Sequence, residues 1–573
     1  MEDYDLIVGH KPAEAIANWT RLCAECRKTQ EDVLKGILGL AAGTEIGKRY
    51  SFAGIDSIEA FQERVPVLDY PDIEDYVERM ADGEEDLLFP GRTEYFISTS
   101  GTTGSSKKIP ESPAGMSAKR AVLDLRNIYL AQNVIAACMK LPKFHELLAK
   151  KGLADKASDV AWLGTGMLEH VHFFSVTSAT ENRKTKGGID IGFASGKTFE
   201  NSPFTQSLAY PKELMTFADG DAVMYLTMLF ALRYDDVTIV TANNAARFYA
   251  RVRYAQQHAE QIIADLKAGT IWSDLSLSDD QRALLESQLE PFPERADELQ
   301  AIFDRGRDEF VPRSYWPYVA LTKFWLGGSV GVNVRKVKPL MPTDTLYFDV
   351  GYGASEAKIN IPYRPDTVPG TLGITSAFYE FKASGSDAML TADQLERGKD
   401  YEIFLTTYSG LYRYPLHDIV RVESFFQETP DIEFITKSRE ILNIAQEKVP
   451  APQAIDLLMA LAKDRGLSIR QAQVYPNLDE QAYELFVEFD DEEQAAACDL
   501  DGLAGEFDQL LQEKFELYGR NRAFRSLSPL LMHAMRQGWQ DSLFAAKADK
   551  GIPASQVKLA VMATERPDGK LIL

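Results

Sequence analysis

Residues 98–108 read Ser-Thr-Ser-Gly-Thr-Thr-Gly-Ser-Ser-Lys-Lys, with no apolar side chain among them. Gly101 and Gly104 let the backbone turn tightly and present its N–H groups. Ser98, Ser100, Thr102 and Thr103 add hydroxyls, and Lys107 and Lys108 add positive charge. Such a set suits a polyphosphate, because it neutralises charge and satisfies many acceptor oxygens at once. A solvated polar turn is the plain alternative. A Walker loop requires Gly, four residues and then Gly-Lys-Ser/Thr. Here the second glycine follows the first by three positions and Lys107 by three more, which disfavours a Walker ATPase or kinase.

The elements that must hold this stretch read as alternating helices and strands. Tyr95–Ile97 is a strand leading into it. Met116–Lys140 is a long amphipathic helix behind it, whose start is expected to aim N–H groups at the loop. Earlier, helical spacing runs from Pro12 to about Gly43 and from Ile58 to Val65; Asp69-Tyr-Pro-Asp72 breaks the pattern before a helix at Ile73–Met80. Later come a strand-like Val160–Ser178, a polar connection at Lys184–Asn201, and helices Ala222–Leu232 and Ala245–Lys267 around a strand at Val237–Val240. Short strands are expected at Val319–Leu321, Gly331–Val334 and Thr345–Val350. The last closes in Gly351-Tyr-Gly-Ala-Ser-Glu356, where ligands of open α/β sheets bind. Tyr379–Lys382 and Tyr401–Thr407 are further strands. From about residue 438 a smaller α+β pattern begins. The fold class is therefore α/β.

The 573 residues allow two to four domains, and 45 % hydrophobic with 26 % charged residues is ordinary for a globular protein. A net charge of −23 argues against a nucleic-acid partner. No apolar run is long enough to span a bilayer, and the acidic start lacks secretory features, so a cytoplasmic protein without a membrane partner is expected. Of four cysteines, Cys23 and Cys26 are spaced as CxxC but fall on a helix, with no second pair to complete a zinc site. His170 and His172 fit a strand with one wet face better than a metal site.

Taken in order, the 98–108 stretch, Tyr352-Gly-Ala-Ser-Glu356, Tyr412-Arg-Tyr-Pro-Leu-His-Asp418 and a C-terminal lysine resemble the adenylate-forming enzymes. Val65-Pro-Val-Leu-Asp-Tyr70, Tyr76-Val-Glu-Arg79, Leu411-Tyr-Arg413 and Arg536-Gln-Gly538 narrow the resemblance to the Gretchen Hagen (auxin-responsive) family of acyl acid amido synthetases, from about residue 55 to the C-terminus. The resemblance implies a large N-terminal adenylation domain (1–436) of layered sheets and helices, a hinge (437–440) and a small mobile lid (441–573). It implies ATP and Mg²⁺ as cofactors, a carboxylic acid and an amine or amino acid as partners, and a monomer or weak dimer. Acyl–CoA ligation and ligand binding without turnover stay open as alternatives.

The resemblance also implies roles. Ser98, Ser100, Gly101, Thr102, Thr103 and Gly104 would hold the β- and γ-phosphates, and Tyr352, Gly353, Ala354 and Ser355 would lie along the adenine. Glu356 would place the metal, and Asp418 would accept both ribose hydroxyls, as two carboxylate oxygens can. Lys558 would reach the α-phosphate and the substrate carboxylate, with Lys570 as the fallback because Leu559-Ala560 departs from the family's Pro-Arg. Arg126 would meet the acid, unless it is an ordinary helix-surface arginine. A second departure is His417, where relatives generally carry glycine.

Overall fold

The computed structural model describes residues 12–573 apart from 100–106, 157–169, 177–182, 193–206, 218, 328–331, 384–385, 438–439, 540–541, 543–560 and 564. The described residues divide into two compact units at the step from Thr436 to Lys437.

Three sheets build the first unit. In one, β1 (Tyr95–Thr99) lies between antiparallel β2 (Lys107–Glu111) and a parallel strand from the next crossover. Thr99 pairs with Lys107 at one end of this antiparallel register. The helix Pro113–Tyr129 begins after β2, and Glu111 stands opposite Tyr95 at the far end of β1. At about 3.3 Å per residue, β2 sets the helix start at the opposite end from the Thr99–Lys107 pair. Pro110 is tolerated because β2 is an edge strand.

In the second sheet β3 (His172–Val176), β6 (Val237–Ala242), β7 (Leu321–Phe324) and β8 (Leu346–Asp349) run parallel in that order. The intervening β4 (Arg183–Lys184) and β5 (Asp190–Gly192) complete the first sheet, where the sequence suggested only a surface connection. The apolar run expected as a strand at Gly331–Val334 is the start of a helix, Val332–Val337; short apolar runs carry no period that separates the two. Ala245–Lys267 is two helices, Ala245–Gln257 and Ala259–Ala268, divided at His258.

The third sheet is antiparallel with seven strands: β9 (Asn360–Ile361), β10 (Gly370–Leu372), β11 (Ala377–Ala383), β12 (Met389–Thr391), β13 (Asp400–Thr407), β14 (Tyr414–Phe426) and β15 (Thr429–Lys437), ordered β12-β11-β13-β14-β15-β10-β9. One continuous core ties it to the rest: Trp19 and Ile37 from the first helices, Phe96 of β1, Val122 and Leu125 of the long helix, Ile359, Phe378 and Val420. The first helical stretch breaks at Glu25 into Pro12–Ala24 and Cys26–Ala41. Cys23 and Cys26 are buried and unbridged, and burial pushes the Cys26 thiol up to about 12. The supposed breaker at Asp69 is a helix start instead. Asp69 and Asp72 form a capping box, and Pro71 sits in the first turn of Tyr70–Ala81.

The second unit is a three-stranded sheet, β18-β19-β20 (Ile469–Asn477, Ala482–Phe489, Leu531–Met535), beside the small pair β16-β17 (Ile441–Leu442, Val449–Pro450). Helices Ala451–Asp464 and Leu500–Lys514 pack on it through Leu458, Leu485 and Phe507.

Candidate active site

The turn after β8 is held from every side. Gly351 has φ +87°, a conformation that glycine adopts without strain. Its N–H donates to Asp349 Oδ1 at 2.6 Å, and the Leu326 N–H donates to Asp349 Oδ2 at 2.7 Å. Burial pushes the Asp349 carboxyl up to about 7, against the pull of those two amides. Trp325 Nε1 donates to the Gly351 carbonyl at 2.8 Å, and the Tyr352 N–H donates to Asn360 Oδ1 at 2.7 Å. Farther along, Lys119 Nζ donates to the Ser355 carbonyl at 2.7 Å while pairing with buried Glu111 at the end of β2.

Asp418 comes from a different sheet. In the β13–β14 register Pro415 faces Phe404 and Ile419 faces Glu402, so Leu416, His417 and Asp418 bulge opposite Ile403. A bulge re-aims a side chain. Here Asp418 is 3 % exposed, and Tyr352 Oη donates to its Oδ2 at 2.6 Å. The two motifs, 66 residues apart in sequence, thus meet at one hydrogen bond. Burial and the nearby Asp418 carboxylate hold the Tyr352 phenol well above its usual range, and its ring leans on Phe434 at 5.5 Å.

The bulge accounts for the departure at 417. His417 has φ +54°, a left-handed backbone where glycine is favoured. A histidine holds it because its ring is tethered, Nε2 lying 3.0 Å from Asp69 Oδ2 and Nδ1 3.3 Å from Glu402 Oε1. Arg413, another left-handed residue, pairs with buried Glu380 and donates to the carbonyls of Gln62 and Val65. That arrangement packs the Leu411-Tyr-Arg413 and Val65-Pro-Val motifs together.

Arg126 does not sit on a solvent face. Its Nη1 donates to the Val350 carbonyl at 2.7 Å, and burial, partly offset by Asp349, pushes the guanidinium down to about 10. Two groups that the sequence reading passed over lie within its field. Burial and the Arg126 charge push Lys323 of β7 down to about 7, and burial with Lys119 and Arg126 pushes Lys358 down to about 8. Lys358 stands two residues beyond Glu356, so its place in the motif was the available signal; nothing local marked Lys323.

Ser98 is buried at the end of β1, and Arg183 Nη2 donates to its hydroxyl at 3.5 Å. Ser100, Gly101, Thr102, Thr103, Gly104 and Lys558 lie outside the described residues. Lys108 Nζ donates to both Glu78 oxygens at 2.6 and 2.7 Å, and Lys107 lies 4.9 Å over the Tyr70 ring. Strand geometry turns both toward the helix Tyr70–Ala81. No group of three or more His, Cys, Asp or Glu among the described residues could hold a metal by itself. A lone Glu356 still suits Mg²⁺, which is commonly bound through one or two carboxylates with substrate phosphates completing the shell.

The chain shares its fold with solved acyl acid amido synthetases. The GH3.15 acyl acid amido synthetase aligns with a TM-score of 0.60 at 19 % identity, covering 98 % of this chain and 95 % of that one. The AtGH3.15 enzyme in complex with 2,4-DB aligns at 0.63 and 20 %, covering 97 % and 95 %. Family models agree in sequence: the GH3 family N-terminal domain matches residues 15–151 and 141–346, the central domain 370–437 and the C-terminal domain 456–567. The chain belongs to the GH3 family. Similar proteins include jasmonoyl–L-amino acid synthetase JAR4 of Nicotiana attenuata, 24 % identical over 469 residues (76 % of this chain, 74 % of that protein). Indole-3-acetic acid-amido synthetase GH3.8 of Oryza sativa subsp. indica is 26 % identical over 472 residues (77 % and 71 %).

Proposed function

We propose that this protein joins a carboxylic acid to an amine, most naturally that of an amino acid, at the expense of ATP. The observation that carries the reading is the Tyr352–Asp418 hydrogen bond, which places an aromatic ring and a two-oxygen acceptor side by side. Adenine lies along Tyr352–Ser355, and Asp418 accepts from the ribose hydroxyls. The segment from Ser98 to Gly104 takes the β- and γ-phosphates. Glu356 would hold Mg²⁺, which would supply charge neutralisation on those phosphates. Arg126 receives the acid's carboxylate.

A carboxylate oxygen then attacks the α-phosphorus, the α–β P–O bond breaks, and pyrophosphate leaves. Catalysis of that step is mostly orientation and charge neutralisation. Lys558 is assigned to the α-phosphate during adenylation, and the residues 437–440 to the hinge of a movable second domain. In the second step the amine nitrogen attacks the acyl carbon, the C–O bond to AMP breaks, and the nitrogen loses its proton. No covalent intermediate with the protein is required.

The test is acid-dependent exchange of pyrophosphate into ATP over a broad panel of acids, followed by mass spectrometry of products with amino acids and with coenzyme A. Amides are expected. Thioesters alone would reassign the second step, and ATP binding without exchange for any acid would leave a binding protein.

A further inference from the structure

The 351–356 turn runs into a narrow hairpin whose stem and tip are held by different parts of the molecule. Two backbone hydrogen bonds close the stem. The Ile359 N–H donates to the Tyr352 carbonyl at 3.0 Å, and the Ala354 N–H donates to the Ala357 carbonyl at 2.9 Å. Neither engages the peptide between Ser355 and Glu356 at the tip. Its carbonyl accepts instead from Lys119 Nζ at 2.7 Å, across 236 residues of sequence. A peptide unit is planar from one Cα to the next, so fixing the Ser355 carbonyl fixes the plane from which Glu356 hangs.

Lys119 is itself fixed. Its ammonium pairs with Glu111, whose side chain is 3 % exposed, and Ser409 Oγ donates to the second Glu111 oxygen at 3.4 Å. Four residues before Lys119, on the same helix face, Gly115 lies so close to Ser409 that a Cβ there would stand 1.9 Å from its hydroxyl oxygen. Ser112 caps this helix and donates to the Tyr408 carbonyl at 2.8 Å. The ion pair therefore ties the end of β2, the helix Pro113–Tyr129 and the loop after β13 to the tip. A lone ammonium at the tip would repel a metal ion; paired with Glu111, it supplies a hydrogen bond with no net charge.

We propose that Glu111 and Lys119 act together as positioning residues for metal binding, locking the Ser355–Glu356 peptide so that the Glu356 carboxylate is preset for Mg²⁺ on the nucleotide phosphates. This rests on the assignment of Glu356 to the metal in the function proposed above.

The experiment uses the full-length protein and two readouts. One is the Mg²⁺ concentration for half-maximal pyrophosphate exchange with the acid that supports it best. The other is Mn²⁺ binding to the protein with α,β-methylene-ATP, followed by electron paramagnetic resonance, which needs neither acid nor turnover. The variant is Glu111→Leu combined with Lys119→Met, because removing one partner strands a buried charge, whereas apolar groups often replace a buried pair without loss of stability. It is expected to weaken both readouts about tenfold, the lower end of what is lost with groups that orient a metal ligand. Its melting temperature should stay within about 5 °C of the wild type, and its KM for the acid within about threefold. Glu356→Ala is the reference and should weaken metal binding at least as much. A loss for Glu356→Ala with none for the double variant overturns the inference and leaves the metal assignment standing. A double-variant loss that extends equally to the KM for the acid, or comes with a melting temperature lowered beyond that range, marks a structural role alone and overturns it too. Metal readouts unmoved by Glu356→Ala remove the assignment, and this inference with it.

Discussion

Two backbone devices bring the candidate site together, and they solve one problem differently. The turn after β8 and the bulge on β14 each need a residue at positive φ immediately before the side chain they present. At the turn that residue is Gly351, φ +87°, preceding Tyr352; at the bulge it is His417, φ +54°, preceding Asp418. Glycine meets the requirement without a Cβ. Histidine meets it through two tethers, to Asp69 on the N-cap of one helix and Glu402 on the neighbouring strand. A left-handed non-glycine costs about 1–2 kcal/mol, roughly what two polar contacts to carboxylates return. Strain at a site persists where surrounding structure over-determines it, and the bulge is such a place.

The largest effect is expected where the two devices converge. Asp418→Ala removes the acceptor shared by Tyr352 and the proposed ribose contact, and should raise the KM for ATP in pyrophosphate exchange about 100-fold, the scale of two hydrogen bonds to a charged group. An unchanged KM would place the nucleotide elsewhere. Next come the backbone positions. A Cβ at Gly351 would stand 3.3 Å from the Asn360 carbonyl oxygen and from Pro362 Cδ on a backbone already left-handed. Gly351→Ala should therefore destabilise by about 2 kcal/mol in urea unfolding of the first unit.

At the bulge the paired variants separate backbone from tether. His417→Ala keeps the strained φ and discards the contacts, and should lose about 1–2 kcal/mol. His417→Gly discards both and should stay within about 1 kcal/mol of the wild type, with the KM for ATP moved less than about threefold. Equal losses for alanine and glycine would show that the ring, not the backbone, sets the position of Asp418.

The smallest effect is a pH dependence. Asp349 titrates near 3.8 when unfolded and at about 7 in the fold. Across that window the folded state binds more protons than the unfolded one, so its contribution to stability falls as pH rises from about 4 to about 7. Asp349→Asn lacks this loss. The melting temperature of the variant relative to the wild type should climb over the same interval, and a constant difference would mean that Asp349 is already ionised in the fold.

How much of this was legible beforehand depended on how local each feature is. The order of motifs, the α/β class and the strand before Gly351 follow from contiguous residues and their periodicity. The hairpin at β1–β2 was hidden because Lys107-Lys108-Ile-Pro-Glu carries few strand signals, and only pairing with β1 and burial of Ile109 make it one. That pairing also turned both lysines toward Glu78 and Tyr70. Asp69 looked like a helix breaker and is a helix cap that also holds His417.

By itself the sequence determined which groups exist for chemistry and in what order: the hydroxyl-rich bend, Tyr352, Glu356, Asp418 and the family to which they belong. It did so because those identities are properties of short, unbroken segments. Only the tertiary structure decided that Tyr352 bonds Asp418, that a histidine can serve where glycine is usual, and that Arg126 reaches the Val350 carbonyl. Each of these joins residues from separate elements, and electrostatics and desolvation depend on distance through space, which no local pattern encodes.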